Sequence, residues 1–316
     1  MSSLYDARMS RRTFIERSAM AGGGIAIGGP LAWAADSAAL PLITKPIPKT
    51  GERLPVIGLG TNAFGVTDPQ ELAARREVLQ QFPALGAKVI DTARGYGESE
   101  VVIGRFLKEL GNRDQIFLAT KLPIRGPIAP GDGELQAAFE RLQTNKIDLL
   151  QIHNFHALDT LFPRLVQWKQ AGKLRYIGVT TSTDDQYPQM KQALDTLPLD
   201  FIQVDYSIDN RSAADEILPL ALDKGVAVLN NVPLGGRRGN VLSSLAGKPL
   251  PAWAPEIGVT SWAQLMLKYN VSHPAITAVI PGTTKLTHLE DNQRAGRGEL
   301  LDAATRKKIE AFWSTI

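Results

Sequence analysis

The sequence of 316 residues contains no cysteine. That absence excludes a disulfide framework, a thiolate-bound zinc or iron–sulfur centre, and a cysteine nucleophile. Histidine is scarce too. His153, His156, His273 and His288 are the only four, too few for a His-rich site, and no metal is expected. Neither sign of charge is in excess: a formal +3 over this length implies no nucleic-acid partner, even with a pI near 9.0. The N-terminal apolar run, Ala19 to Trp33, is broken by Gly22-Gly23-Gly24 and falls short of the ~20 residues a membrane-spanning helix needs. What is present, 44% hydrophobic and 21% charged residues, is globular composition, which removes collagenous, disordered and coiled-coil classes. The length suits one large domain or two small ones, and single α/β barrels commonly fall in this range.

Residues 1–34 read as a targeting segment. Ser10-Arg11-Arg12-Thr13-Phe14-Ile15-Glu16 precedes the apolar run, which ends in Ala32-Trp33-Ala34, a small-x-small pattern of the kind signal peptidases cut. Charged, apolar and cleavage regions in that order describe a secretory signal rather than a membrane span. The paired arginines resemble the twin-arginine (Tat) export signal of bacteria. The expected location is therefore the periplasm, with the Tat translocase as a transient partner, or the cytoplasm if export is inefficient. No lipid anchor is expected without a cysteine to acylate. Residues 35–50, with Pro41, Pro46 and Pro48, read as a linker, and 51–316 as the domain. Setting residues 1–34 aside turns 35 basic and 32 acidic residues into 31 and 30, so the apparent basicity belongs mostly to the targeting segment.

Within the domain, apolar, β-branched-rich runs begin near Val56, Ala87, Ile116, Ile147, Leu174, Phe201, Val226 and Ala275. Runs that do not alternate with polar residues suit strands buried on both faces, as in a parallel sheet. Helical patterns lie between them: 69–85, 98–110, 133–144, 160–171, 186–197, 212–222 and 260–268, with one more at 300–312. Strand then helix, eight times over, predicts a single-domain α/β fold of the (β/α)8 TIM-barrel type. A doubly wound open sheet is the rival. It lacks support because no strand is followed by Gly-x-Gly-x-x-Gly with an acidic residue about twenty positions on.

Barrel chemistry sits at the C-terminal ends of strands. There the sequence places Asp91, Lys121 and His153, with Tyr96 in the turn Gly95-Tyr96-Gly97. Each has an ordinary reading: an aspartate as a helix N-cap, a tyrosine as rim packing, a lysine as a solvated charge, a histidine as a structural hydrogen bonder. Together at one barrel end they make a site. An ammonium next to a tyrosine favours the phenolate and helps that group give up its proton, and a neutral imidazole can hydrogen-bond a carbonyl oxygen.

Over residues 54–292 the sequence resembles the aldo-keto reductase family. The matching segments, in order, are Val56-Ile57-Gly58-Leu59-Gly60-Thr61, Asp91-Thr92-Ala93, Gly95-Tyr96-Gly97 with Glu100, and Ala119-Thr120-Lys121. Asp148-Leu149-Leu150-Gln151-Ile152-His153, Ile177-Gly178-Val179, Gln203-Val204, Pro233-Leu234-Gly235 and Ile280-Pro281-Gly282 follow. The resemblance implies a tetrad of Asp91, Tyr96, Lys121 and His153, with Tyr96 as general acid in aldehyde or ketone reduction. It also implies a nicotinamide cofactor, NADP with NAD as the alternative, across the barrel mouth. Cofactor contacts implied in this way are Gly60, Thr61, Asp91, Thr180, Thr181, Gln203, Asn231, Pro233, Leu234, Gly235, Ile280, Gly282, Thr283, Thr284, His288, Asp291 and Asn292. Asn62, Phe64, Asn154, Phe155 and His156 are the expected substrate pocket.

Three departures stand out. Thr181 replaces the family's usual carboxamide-binding Asn, and Asn231 replaces an aromatic that stacks on the nicotinamide, an interaction worth on the order of 1 kcal/mol. The usual basic residues for the adenine 2′-phosphate are also missing, leaving Lys285 and Arg237-Arg238 as substitutes. An exported enzyme must retain or recycle its cofactor. The alternative function is therefore an exported cofactor-binding or redox-sensing protein on the same scaffold with little turnover.

Overall fold

A computed structural model describes residues 40–236 and 240–316. The expected export signal, the start of the expected linker and Arg237-Arg238 lie outside the described residues.

Two short strands, β1 (Thr44–Pro46) and β2 (Arg53–Pro55), form an antiparallel hairpin. Eight parallel strands follow: β3 (Leu59–Gly60), β4 (Val89–Asp91), β5 (Phe117–Lys121), β6 (Ile147–Ile152), β7 (Leu174–Thr180), β8 (Phe201–Asp205), β9 (Ala227–Asn231) and β10 (Ile276–Val279). They pair in sequence order, and the bridges Ile57 to Val279 and Gly60 to Gly282 join β3 to β10, closing the barrel. Close approach of β3 to its two neighbours explains two glycines. A Cβ at Gly58 would lie 2.8 Å from the Val89 carbonyl oxygen, and one at Gly60 2.7 Å from that of Ile280.

Around the strands lie α1 (Pro69–Ala84), α2 (Ser99–Leu110), α3 (Gly133–Leu142), α4 (Leu158–Gln170), α5 (Tyr187–Thr196), α6 (Ile217–Asp223), α7 (Asn240–Ser244), α8 (Trp262–Val271), α9 (Leu286–Arg294) and α10 (Ala303–Trp313). The larger apolar cluster fills the layer between strands and helices, and a smaller one fills the barrel interior. Each strand residue that points inward alternates with one that points to the helices. On β6, Leu149 is interior while Leu150 and Ile152 face the helices.

Residues 42–50 are not a linker, which corrects the sequence reading. Ile47 and Leu54 are buried with Val89, Phe117 and Phe201, plugging the N-terminal end of the barrel. Lys45 ties the hairpin to the end of α8, its Nζ donating to the carbonyls of Val271 (2.6 Å), His273 (2.8 Å) and Ile276 (2.8 Å). Proline here reflects a two-stranded edge, where a missing N–H is tolerated, rather than an unstructured tether. Helix α9 was also not anticipated. Its segment Leu-Thr-His-Leu-Glu-Asp-Asn-Gln-Arg carries only two apolar residues, too few to stand out as an apolar helix face.

Candidate functional site

At the C-terminal end of the strands the buried pair Lys121–Asp91 forms the centre of the site. Lys121 Nζ lies 2.5 Å from Asp91 Oδ2 and also donates to the Thr92 carbonyl at 2.9 Å. Both side chains end strands whose preceding residues are wholly buried, so both are drawn out of water, where a lone charge is costly and a hydrogen-bonded pair is tolerated. The other Asp91 oxygen accepts from Gln203 Nε2 at 2.8 Å. Burial pulls the lysine pKa down, but the charge of Asp91 and the contact with Tyr96 outweigh it and hold the ammonium above its ordinary value.

The third donor position of Lys121 faces Tyr96, whose hydroxyl lies 3.4 Å from Nζ. The turn that brings Tyr96 back over the barrel depends on Gly97, which takes φ 61°. His153 meets Tyr96 edge-on, with ring centroids 5.8 Å apart and an interplanar angle of 87°. Burial, and then the nearby Lys121 charge, push its imidazole down to about 3. His153 is thus neutral across physiological pH. Its Nδ1 is buried with no hydrogen-bond partner among the described residues, and the ring lines the cavity, which leaves Nε2 to act there.

A cavity of about 480 Å³ opens over this group. It is lined by the tetrad members Asp91, Tyr96 and His153 and by Gly60, Thr61, Thr180, Gln203, Asn231, Pro233, Leu234, Gly235, Ile280 and Gly282 from the expected cofactor set. Lys121 lies beneath, almost fully buried. Asn62 and Asn154 line the cavity as well.

The remaining expected residues are elsewhere. Phe64 is fully buried between barrel and helices, Phe155 packs against the same core, and His156 Nε2 lies 3.3 Å from the Gly126 carbonyl oxygen. Thr181 is buried behind the rim, bonded to Gln186 Oε1 at 2.7 Å. Thr283 and Thr284 do not line the cavity either, and Thr283 accepts from the Lys285 amide instead. His288, Asp291 and Asn292 ride on α9: His288 is exposed, Asn292 buried, and both Asp291 oxygens are taken by Ser261 and Gln264 at 2.6 Å. Ser182, Val232, Gly236 and Pro281 line the cavity without having been expected. Extending each strand end by one or two residues would have found Ser182, Val232 and Pro281.

The family model for the aldo/keto reductase family matches residues 56–314. The chain belongs to the aldo/keto reductase family. Among curated relatives, aldo-keto reductase YhdN of Bacillus subtilis is 32% identical over 206 residues, covering 58% of this chain and 59% of that protein, less than two thirds of its length. L-galactose dehydrogenase of Arabidopsis thaliana is 27% identical over 314 residues, covering 84% and 93%. Among solved structures, the holo form of the Bacillus halodurans aldo-keto reductase AKR11C1 superposes with a TM-score of 0.70 at 24% identity, over 86% of this chain and 96% of that one. An aldo/keto reductase from Klebsiella pneumoniae, solved with NADP and acetate, also gives 0.70 at 24% identity, over 83% and 93%. Those two likenesses establish the (β/α)8 fold.

Proposed function

We propose that this aldo/keto reductase reduces an aldehyde or ketone to an alcohol, with NADP(H) as its cofactor and Tyr96 as the general acid. The observation that carries the reading is the arrangement Asp91–Lys121–Tyr96–His153 at the floor of one cavity. The NADP in the Klebsiella structure supports the choice of cofactor. The residues present fit such a group: glycines 60, 235, 236 and 282 offer backbone rather than side chains along the cavity wall, and the side-chain amides of Asn62 and Asn154 have no hydrogen-bond partner among the described residues. Lys285, exposed at the start of α9, and Arg237-Arg238 are the cations proposed for an adenine phosphate.

When bound, the nicotinamide supplies or accepts the hydride. The chain manages the proton. Tyr96 donates its O–H proton to the substrate oxygen, and the ammonium 3.4 Å from the phenol oxygen stabilises the negative charge left behind. Asp91 holds that ammonium in place and balances its charge. Neutral His153 donates a hydrogen bond from Nε2 to the carbonyl oxygen, fixing its position. With its pKa near 3 it does not compete as an acid.

Tyr96→Phe tests the reading. It removes one hydroxyl and should lower aldehyde reduction by about 10² to 10⁴, while NADPH affinity, followed by fluorescence, stays close to wild type. Equal turnover by the variant would sink the role of Tyr96. Denaturing the purified protein and weighing any released nucleotide distinguishes NADP from NAD.

Residues 1–34 are proposed to direct twin-arginine export of the folded protein to the periplasm, leaving 35–316 as the mature chain. Cell fractionation of the wild type against Arg11→Lys/Arg12→Lys checks this. Identical distribution of the two would overturn it.

A further inference from the structure

Val232 takes φ 48°, a left-handed conformation that strains a β-branched residue. It opens a turn in which Gly235 (69°) and Gly236 (52°) are also left-handed, and the turn forms one wall of the cavity. Strain of this kind persists only where the surroundings over-determine the backbone. Here two buried asparagine amides do so. Asn230 Nδ2 donates to the Asn231 carbonyl at 2.7 Å and to that of Tyr206 at 2.9 Å. Asn270, on α8 and fully buried, donates from Nδ2 to the Pro233 carbonyl at 2.8 Å and to the Tyr206 carbonyl at 3.3 Å.

One amide on a peripheral helix therefore bridges the exits of two strands, β8 at Tyr206 and β9 at Pro233. The Tyr206 end is anchored in turn by Arg306 of α10, whose Nη2 donates to the tyrosine hydroxyl at 2.6 Å. Packing alone does not call for an amide at this position, since an apolar side chain would fill the same space. What it would lose is the partner of a buried carbonyl oxygen in the residue next to Val232.

We propose that Asn270 is a positioning residue for nucleotide binding, acting through the Pro233 carbonyl to hold Val232 in its left-handed turn and keep the Val232–Gly236 wall in place. The proposal rests on reading the cavity as a nicotinamide-nucleotide site.

The test is a cycle of Asn270→Leu, Val232→Gly and the double variant, each titrated with NADPH by fluorescence and melted to confirm folding. Asn270→Leu should raise the NADPH Kd about tenfold, equivalent to 1.4 kcal/mol, within the strain one such residue stores. Glycine adopts positive φ without steric cost, so in the Val232→Gly background the same Asn270→Leu change should cost less than about threefold. A merely structural Asn270 would lower the melting temperature and leave Kd within about twofold, or would cost the same in both backgrounds. Either result overturns the proposal. If the wild type binds neither NADPH nor NADH, the reductase reading fails, and amide exchange decides the positioning role by itself. Faster exchange of residues 231–236 in Asn270→Leu, slowed again by Val232→Gly, supports the role; unchanged exchange overturns it.

Discussion

Replacing Lys121 with methionine separates the structural from the chemical work of the tetrad. Lys121 and Asp91 are each only 2% exposed, and their charges meet at 2.5 Å. Methionine fills most of the lysine stem but leaves Asp91 as a buried carboxylate whose remaining side-chain partner is Gln203 Nε2, at 2.8 Å. Breaking a buried pair from one side costs about 3–5 kcal/mol. For the roughly 280 residues from Leu40 to Ile316, an unfolding entropy of about 2.1 cal/mol/K per residue turns that into a Tm lowered by about 5–9 °C. Adding Asp91→Asn removes the stranded charge and keeps the acceptor for Gln203. The double variant should regain most of the loss, because neutral replacement of both partners of a buried pair is close to neutral or better. Activity should not return, since neither variant has a cation beside the Tyr96 hydroxyl. The assays are thermal and urea denaturation at neutral pH beside nicotinamide-dependent carbonyl reduction. A single variant as stable as wild type, or a double variant as unstable as the single, refutes the argument from buried charge. Recovered turnover in the double variant refutes the role given to Lys121.

The low pKa of His153 sets a pH dependence with a definite sign. Its imidazole titrates near 3 when folded and near 6.5 when unfolded, so the unfolded chain binds the extra proton between those values. Stability from this group is complete above pH 6.5 and lost as pH falls toward 3, by at most about 5 kcal/mol. His153→Gln should flatten that limb of the denaturation profile, and an unchanged slope counts against it. Gly235→Ala should raise the NADPH Kd well beyond tenfold or prevent ordering of the wall: φ is 69°, and an added Cβ would fall on the Asp209 carboxylate, which accepts from the Gly236 amide at 3.1 Å. Asp209→Ser should relieve part of the defect; equal Kd values for wild type and Gly235→Ala would contradict the geometry. Lys45→Met leaves the carbonyls of Val271, His273 and Ile276, between the end of α8 and the start of β10, without this donor and should cost about 2–3 kcal/mol by urea denaturation, with kcat per folded molecule unchanged.

What was legible in the sequence follows from how each signal arises. The eight barrel strands announced themselves because a strand buried on both faces is almost purely apolar, and β7 occupies the whole of its run, Leu174 to Thr180. The tetrad was legible for the same reason: Asp91, Lys121 and His153 are polar residues that interrupt apolar runs. The hairpin β1–β2 was lost because its prolines imitate a linker, and its two buried isoleucines, Ile43 and Ile47, are too far apart to read as an apolar strand. Phe64 and Phe155 went to the wrong place because chain proximity to Asn62 and Asn154 says nothing of direction. Asn62 and Asn154 line the cavity while the aromatic neighbours turn into the helix layer. Val232, one residue past β9, owes its exact place to left-handed backbone held by partners distant in sequence, Asn270 among them. A local pattern does not contain that information.

The substitutions at Thr181 and Asn231, two separate departures in the sequence, are one unit in three dimensions. Asn231 Nδ2 donates to the Thr181 carbonyl at 2.8 Å and to Gln203 Oε1 at 3.3 Å, joining the ends of β7, β8 and β9. Gln203 in turn donates from Nε2 to Asp91, and Asp91 holds Lys121 beneath Tyr96. A chain of hydrogen bonds thus runs from the residue that stands in the aromatic position to the Tyr96 hydroxyl. An aromatic ring at 231 would remove the amide that serves both the Thr181 carbonyl and Gln203 Oε1, leaving the glutamine amide free to turn away from Asp91. Whatever stacking energy is given up at this position, on the order of 1 kcal/mol, is of the same size as the net worth of the hydrogen bonds gained. The exchange fixes the orientation of the glutamine on which one oxygen of Asp91 depends.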